Sequence, residues 1–142
     1  MPKISVPARL EHLATVNTFI GKALAGQPEA TLRQVELVLE ELLVNVFSYA
    51  YPNDDGEAEI TFCIEYLDGT AYFCFSVLDW GKEFNPFAEV ATPNIDLDLD
   101  DRPVGGLGVH LVRSLTAHYA YCREDGANKL RLHFAIPHSG ND

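Results

Sequence analysis

Asn45 interrupts an apolar run in the segment EELLVNVFSYAY, where an amide taken out of water must find hydrogen-bond or metal partners. Glu41 lies four residues earlier, so on a helix the carboxylate and the amide stand one turn apart on the same face. Such a pair can share one magnesium-phosphate site. Magnesium takes oxygen ligands, keeps several waters and is commonly held by one or two side chains plus substrate phosphates. Asn45 would then be a metal ligand, and Glu41 a general base for a hydroxyl or water attacking the terminal phosphate. Judged on this helix alone, a satisfied core amide beside a surface glutamate is the simpler account.

Two further segments carry chemistry. In LDWGKEF, Asp79 ends a strand and Gly81 follows two residues later. Such an Asp can accept a hydrogen bond from an exocyclic amine, and a Gly lets a flat ring approach the backbone. Alone, Asp-x-Gly after a strand is more often a turn. In Gly105-Gly106-Leu107-Gly108, glycines open a helix whose first amides lack partners, which makes an anion cradle suited to phosphate. A glycine-rich hinge explains that loop as readily when it stands alone. It is neither a Walker A loop nor a G-x-G-x-x-G fingerprint, because the Gly-Lys-Ser/Thr and the third Gly are missing.

Other chemistries find less support. Asp96-x-Asp98-x-Asp100 opens like a calcium loop, but its sixth position is Asp101 and its twelfth Leu107, so a solvated acidic face is the reading. His12, His110, His118, His133 and His138 are scattered without metal-ligand spacing, and no zinc site is expected. Cys63, Cys74 and Cys122 show no C-x-x-C spacing and read as reduced, structural thiols. No serine sits in a G-x-S-x-G elbow.

The elements that must position these residues are legible from periodicity. Ile4 and Val6 mark a short strand, and Leu10, Leu13, Asn17, Ile20 and Leu24 a first helix. Gly26, Gln27 and Pro28 break it, and Thr31 with Gln34 offers a capping box for a second helix running from about residue 31 to residue 50. Its buried stripe reads Leu32, Val35, Leu39, Leu42, Val46 and Ala50. Ile60, Phe62, Ile64 and Tyr66 then alternate with polar residues, Asp68-Gly69 turns the chain, and Phe73, Phe75 and Val77 line the returning strand. Residues 80–104 show no period, and a loop of that length is usually functional or mobile. Leu111, Val112 and Leu115 mark a short helix opening from the glycines. Strands over 119–123 and 129–136 flank a turn at Asp125-Gly126-Ala127-Asn128. Leading helices and hairpin-linked strands predict an α+β two-layer sandwich.

With 142 residues, the chain is expected to form a single domain over 1–142. The net charge of −11 argues against nucleic acid and anionic membrane as partners, since both attract lysine and arginine. No apolar run approaches a membrane span and the start lacks a signal-peptide pattern, so the cytoplasm is the expected location.

Taken together and in order, the three segments resemble the N box and the two glycine boxes of the ATP-binding domain shared by gyrase-type ATPases, histidine kinases and MutL proteins. The resemblance spans nearly the whole chain. Within that superfamily, Glu41-Leu42-Leu43-Val44-Asn45 with Tyr49-Ala50-Tyr51-Pro52, and the run from Arg102 through Gly105-Gly106-Leu107-Gly108 to Arg113, look like bacterial anti-sigma-factor serine/threonine kinases. The resemblance implies a Bergerat-type fold, with a mixed, mostly antiparallel sheet and helices on one face. It implies ATP and Mg2+ as cofactors, Glu41 as catalytic base, Asn45 as metal ligand, Asp79 as adenine reader, Gly81 lining the adenine pocket, and Gly105, Gly106, Leu107 and Gly108 as the phosphate loop. The implied activity is phosphorylation of an anti-sigma antagonist switch protein, with a sigma factor as a further partner and a homodimer left open. Two alternatives stand beside it: a non-catalytic module that sequesters a sigma factor, and a plain ATPase. The chain departs from the family pattern at Tyr49, where His is frequent, and at Glu83, where a second Gly is frequent.

Overall fold

The structure, a computed structural model, describes residues 2–51, 55–89 and 106–137. The elements run β1 (Lys3–Pro7), a 3-10 turn (Leu10–His12), α1 (Leu13–Ala23), α2 (Glu29–Asn45), a turn of π-helix (Val46–Ala50), β2 (Glu57–Leu67), β3 (Thr70–Asp79), α3 (Pro86–Glu89), α4 (Gly106–Leu115), β4 (His118–Glu124) and β5 (Ala127–Ala135). The five strands form one sheet in the order β1-β2-β3-β5-β4. The sheet expected to be mixed and mostly antiparallel is antiparallel at every described pairing.

Two tight hairpins set the register. Asp68 and Gly69 have φ of 50° and 81°, and Asp125 and Gly126 have 52° and 78°. Two successive positive φ values make the I′ turn whose twist matches that of paired strands, which is why Asp-Gly occupies both places. The second turn is therefore two residues long, and Ala127 and Asn128, expected in the turn, belong to β5. That shift brings Asn128 opposite Asp79.

Alternation gives the sheet two unlike faces. On the inner face, Ile60, Phe62, Phe73, Phe75, Val77, Leu130, Leu132 and Phe134 pack with Val16 and Ile20 of α1, Val35, Leu39 and Leu42 of α2, and Val112 of α4. The outer face carries Glu59, Thr61, Cys63, Glu65, Cys74, Ser76, Lys129, Arg131 and His133. Toward the free end of the β2-β3 hairpin the inner face is uncovered, so Ile64 and Tyr66, which continue the apolar alternation, are 50% and 71% exposed.

The helices depart from expectation at their ends. Leu10 lies outside α1 and is exposed, and Val16 rather than Asn17 faces the core. The capping box at Thr31 and Gln34 does not form: α2 begins two residues earlier, after Pro28, and Thr31 is buried inside the first turn. Pro28 needs no donor there and its φ of −55° leads directly into the helix. The helix predicted to reach residue 50 is α-helical only to Asn45, and a π-turn carries the chain on. A π-turn inserts an extra residue per turn and recurs at functional sites.

Candidate nucleotide site

Asn45 is the last α-helical residue before the π-turn, and its side chain is fully buried. Neither its Oδ1 nor its Nδ2 has a hydrogen-bond partner among the described residues. A buried amide left unpaired on both ends costs several times what a typical hydrogen bond returns, so a native protein retains one where a ligand completes it. Such an amide fits an oxygen donor to magnesium or a hydrogen-bonding group for phosphate. Glu41, one turn earlier, is half-buried, while Glu40 beside it is exposed. Glu41 and Asn45 thus lie one turn apart on α2, as the spacing predicts.

Asp79 ends β3 and is 1% exposed. Its Oδ1 accepts from the Gly81 amide at 3.0 Å and from Asn128 Nδ2 at 2.8 Å. Both contacts fall on one oxygen, and among the described residues Oδ2 accepts none. Asn128 is itself buried and spans the site: its Nδ2 also reaches the Lys82 carbonyl at 2.9 Å, and its Oδ1 accepts from the Phe84 amide at 3.1 Å and the Tyr121 hydroxyl at 2.7 Å. Asn128 therefore holds both the carboxylate and the chain that leaves it. Sequence reasoning missed it by placing it in a turn, and the signal that could have found it was the Asp-Gly dipeptide, which closes a hairpin in two residues.

Gly81 joins the two halves. A Cβ there would stand 2.4 Å from the Ala50 carbonyl oxygen, so only glycine admits this approach. The Lys82 amide donates to the same carbonyl at 3.0 Å, and the Tyr51 hydroxyl accepts from the Trp80 amide at 2.8 Å while donating to the Glu57 carbonyl at 2.9 Å. The end of the Asn45 helix is thereby tied to the segment after Asp79. Of the departures from the family pattern, Tyr49 stacks on Phe84 with ring centroids 5.2 Å apart, and Glu83 is exposed.

Gly106, Leu107 and Gly108 form the first turn of α4, which packs alongside α2. Gly105, Arg102 and the acidic stretch from Asp96 to Asp101 lie outside the described residues. The structure so ties Ala50, at the end of the segment that carries Glu41 and Asn45, to Gly81 and Lys82 just after Asp79, and packs α4 against α2.

Burial raises the Asp79 carboxyl above the ordinary carboxylate range, against the bonds from Asn128 and Gly81 that favour its charge. A folded pKa above the unfolded one means the native state keeps a proton the unfolded chain has lost. Asp79 therefore subtracts stability progressively as pH rises from its unfolded pKa through its raised folded one. Asp79→Asn, which retains the Oδ1 acceptor, should raise the melting temperature of the ligand-free protein at pH 7 and not at pH 3. A melting temperature lowered at pH 7 would show that the charge itself holds the loop.

Comparison with known proteins places these features. The histidine kinase-like ATPase domain family model matches residues 6–134. Comparison with curated proteins finds no match. Among solved structures, the histidine kinase domain of the blue-light activated histidine kinase from Erythrobacter litoralis EL346 superposes with a TM-score of 0.51 at 18% identity, covering 92% of this chain and 62% of that one. A structure of that blue-light activated kinase gives 0.53 at 16% identity, covering 89% of this chain and 41% of that one. The chain thus spans less than two thirds of either, and the likeness is one of fold. No described helix is long and apolar enough to cross a membrane. The family match, which spans all three segments that carry the chemistry, makes the conclusion direct: this chain belongs to the histidine kinase-like ATPase domain family, and is an ATP-binding domain of that kind.

Proposed function

We propose that the chain, acting as one unit over residues 1–142, is a cytoplasmic serine/threonine protein kinase that uses ATP and Mg2+ to phosphorylate an anti-sigma antagonist switch protein, and binds a sigma factor as its regulated partner. The observation that carries the phosphate chemistry is Asn45, a fully buried amide with both ends unpaired among the described residues, one turn from a half-buried Glu41. The narrower assignment rests on the resemblance of the Asn45 segment and of the run from Arg102 to Arg113 to anti-sigma-factor kinases.

In this reading Asn45 holds the metal-phosphate end of the nucleotide, and Asp79 accepts the adenine amine on its free Oδ2. Asn128 fixes the Asp79 carboxylate in that orientation, and Gly81 leaves the ring room beside the backbone. The α4 amides face phosphate, whose negative charge the helix N-terminus favours. When bound, magnesium neutralises charge on the phosphate oxygens. Glu41 takes the proton from the attacking hydroxyl.

Incubation with γ-labelled ATP and a candidate switch protein tests the assignment. Acid-stable label on a serine or threonine of the partner is the expected product. Acid-labile label, as on histidine, would move the chain to histidine-kinase chemistry. Release of phosphate without transfer would make it an ATPase, and capture of a sigma factor with neither would make it a sequestering module.

A further inference from the structure

The outer face of the sheet carries a cluster that the nucleotide site does not use. Cys63 and Cys74 are direct cross-strand partners on β2 and β3, and Glu65 lies two residues beyond Cys63 on the same face. The two sulfurs and a Glu65 carboxylate oxygen all lie within 4.8 Å of one another. In a tetrahedral zinc site, bonds of about 2.3 Å to sulfur and 2.1 Å to oxygen put neighbouring donors roughly 3.6–3.8 Å apart. At a separation of 4.8 Å or less, no pair of the three donors stands more than about 1.2 Å beyond that spacing.

The surroundings are those of a held ligand set. His133 Nε2 contacts Glu65 Oε1 at 2.9 Å, and Arg131 pairs with the other carboxylate oxygen. A carboxylate fixed by a histidine or arginine behind it is the usual support of a metal ligand. The cluster's polar network is also incomplete, because Arg131 Nε and His133 Nδ1 are buried without partners among the described residues. Entry is provided by a groove of about 410 Å³ lined by Glu59, Thr61, Cys63, Glu65, Lys129 and Arg131, among others. Cys63 and Glu65 line this groove, and Cys74, 1% exposed, is the cross-strand partner of Cys63.

We propose that Cys63, Cys74 and Glu65 bind a thiophilic divalent cation of the zinc class, with His133 and Arg131 as positioning residues. Two sulfur donors favour zinc over magnesium or calcium, which select oxygen. Binding releases the two thiol protons to solvent. Two thiolates and a carboxylate around a divalent ion leave one net negative charge, which Arg131 offsets. A disulfide between Cys63 and Cys74 would need no third donor, so the convergence of a held carboxylate on the two thiols favours the metal. The spacing in sequence concealed this set because its members come from two strands and meet only through register. The inference is independent of the ATP site on the inner face.

The test is titration of the full-length, phosphine-reduced, metal-free protein with Co2+ and then Zn2+. Expected is uptake of one equivalent of Co2+, with a thiolate-to-cobalt absorption band and tetrahedral d-d bands that Zn2+ abolishes. Cys63→Ser and Glu65→Gln, at half-buried positions that tolerate replacement, should each remove the tetrahedral spectrum. His133→Gln should weaken binding by roughly 10- to 100-fold, as loss of outer support does. Cys122→Ser, at an exposed position on β4 opposite Lys129, should change nothing. No thiolate band, or a band that survives Cys63→Ser, would overturn the proposal. So would quantitative Cys63–Cys74 disulfide formation under mild oxidation, with no metal uptake by the reduced protein.

Discussion

Glu41→Gln is expected to keep ATP binding and to lower phosphate transfer by about two to four powers of ten, the usual worth of general-base assistance. The substitution retains size and the hydrogen-bonding oxygen while removing the basic site. Glu41 is half-buried one turn from Asn45, whereas Glu40 is exposed and points off that face. Glu40→Gln is therefore the matched control and should leave transfer within a small factor of wild type. Transfer from labelled ATP, measured beside binding by calorimetry, separates a lost base from a lost nucleotide. Full transfer by Glu41→Gln would remove the assigned role. Loss with Glu40→Gln alone would move the base one residue along the helix.

Asn45→Ala should have an effect of opposite sign on stability and on function. The wild-type amide is fully buried with both polar ends unpaired among the described residues, so its removal relieves a desolvation penalty of about 1–3 kcal/mol. The small space left behind costs less, on the order of 0.5 kcal/mol at the usual cavity coefficient. Alanine also extends the helix more readily than asparagine. The ligand-free mutant should thus melt higher than wild type by about 3 °C, taking roughly 1 kcal/mol as the net gain. Its affinity for ATP should no longer respond to Mg2+. A satisfied structural amide would behave in the opposite way, with the mutant melting lower and magnesium dependence intact. Scanning calorimetry and magnesium-dependent nucleotide titration on the same preparation distinguish the two.

Stability and function are thus set against each other at two positions. Asn45 and Asp79 are both buried, one as an amide unpaired among the described residues and the other as a carboxyl whose pKa burial pushes up. Between them lies the joint at Ala50 and Gly81, where a backbone contact leaves no room for a side chain. Strain at a site of this kind is tolerated because a core of aliphatic and aromatic residues from the sheet and three helices supports it.

What the linear sequence determined by itself was everything governed by local period and local composition. The apolar stripe of α2, the alternation in β2, β3 and β5, and the Asp-Gly turns place the elements, because each depends on neighbours within a few residues. Glu41 and Asn45 were legible as a pair for the same reason, since helical spacing alone sets them on one face. Asp79 and Gly81 were legible as a strand end with a glycine behind it. Tertiary structure decided the rest. The π-turn after Asn45 is not visible in a stripe that runs on through Val46 and Ala50, and the uncovered end of β2 cannot be told from its covered end by alternation. Asn128 acquires its hold on Asp79 only when β5 is paired with β3, 49 residues away in sequence. Cys63, Cys74 and His133 form a row across three strands for the same reason, and scattered spacings gave no sign of it. Local order follows from the chain's own geometry, whereas an active constellation assembled from separate strands is fixed by register, which is set by the burial of the whole inner face at once.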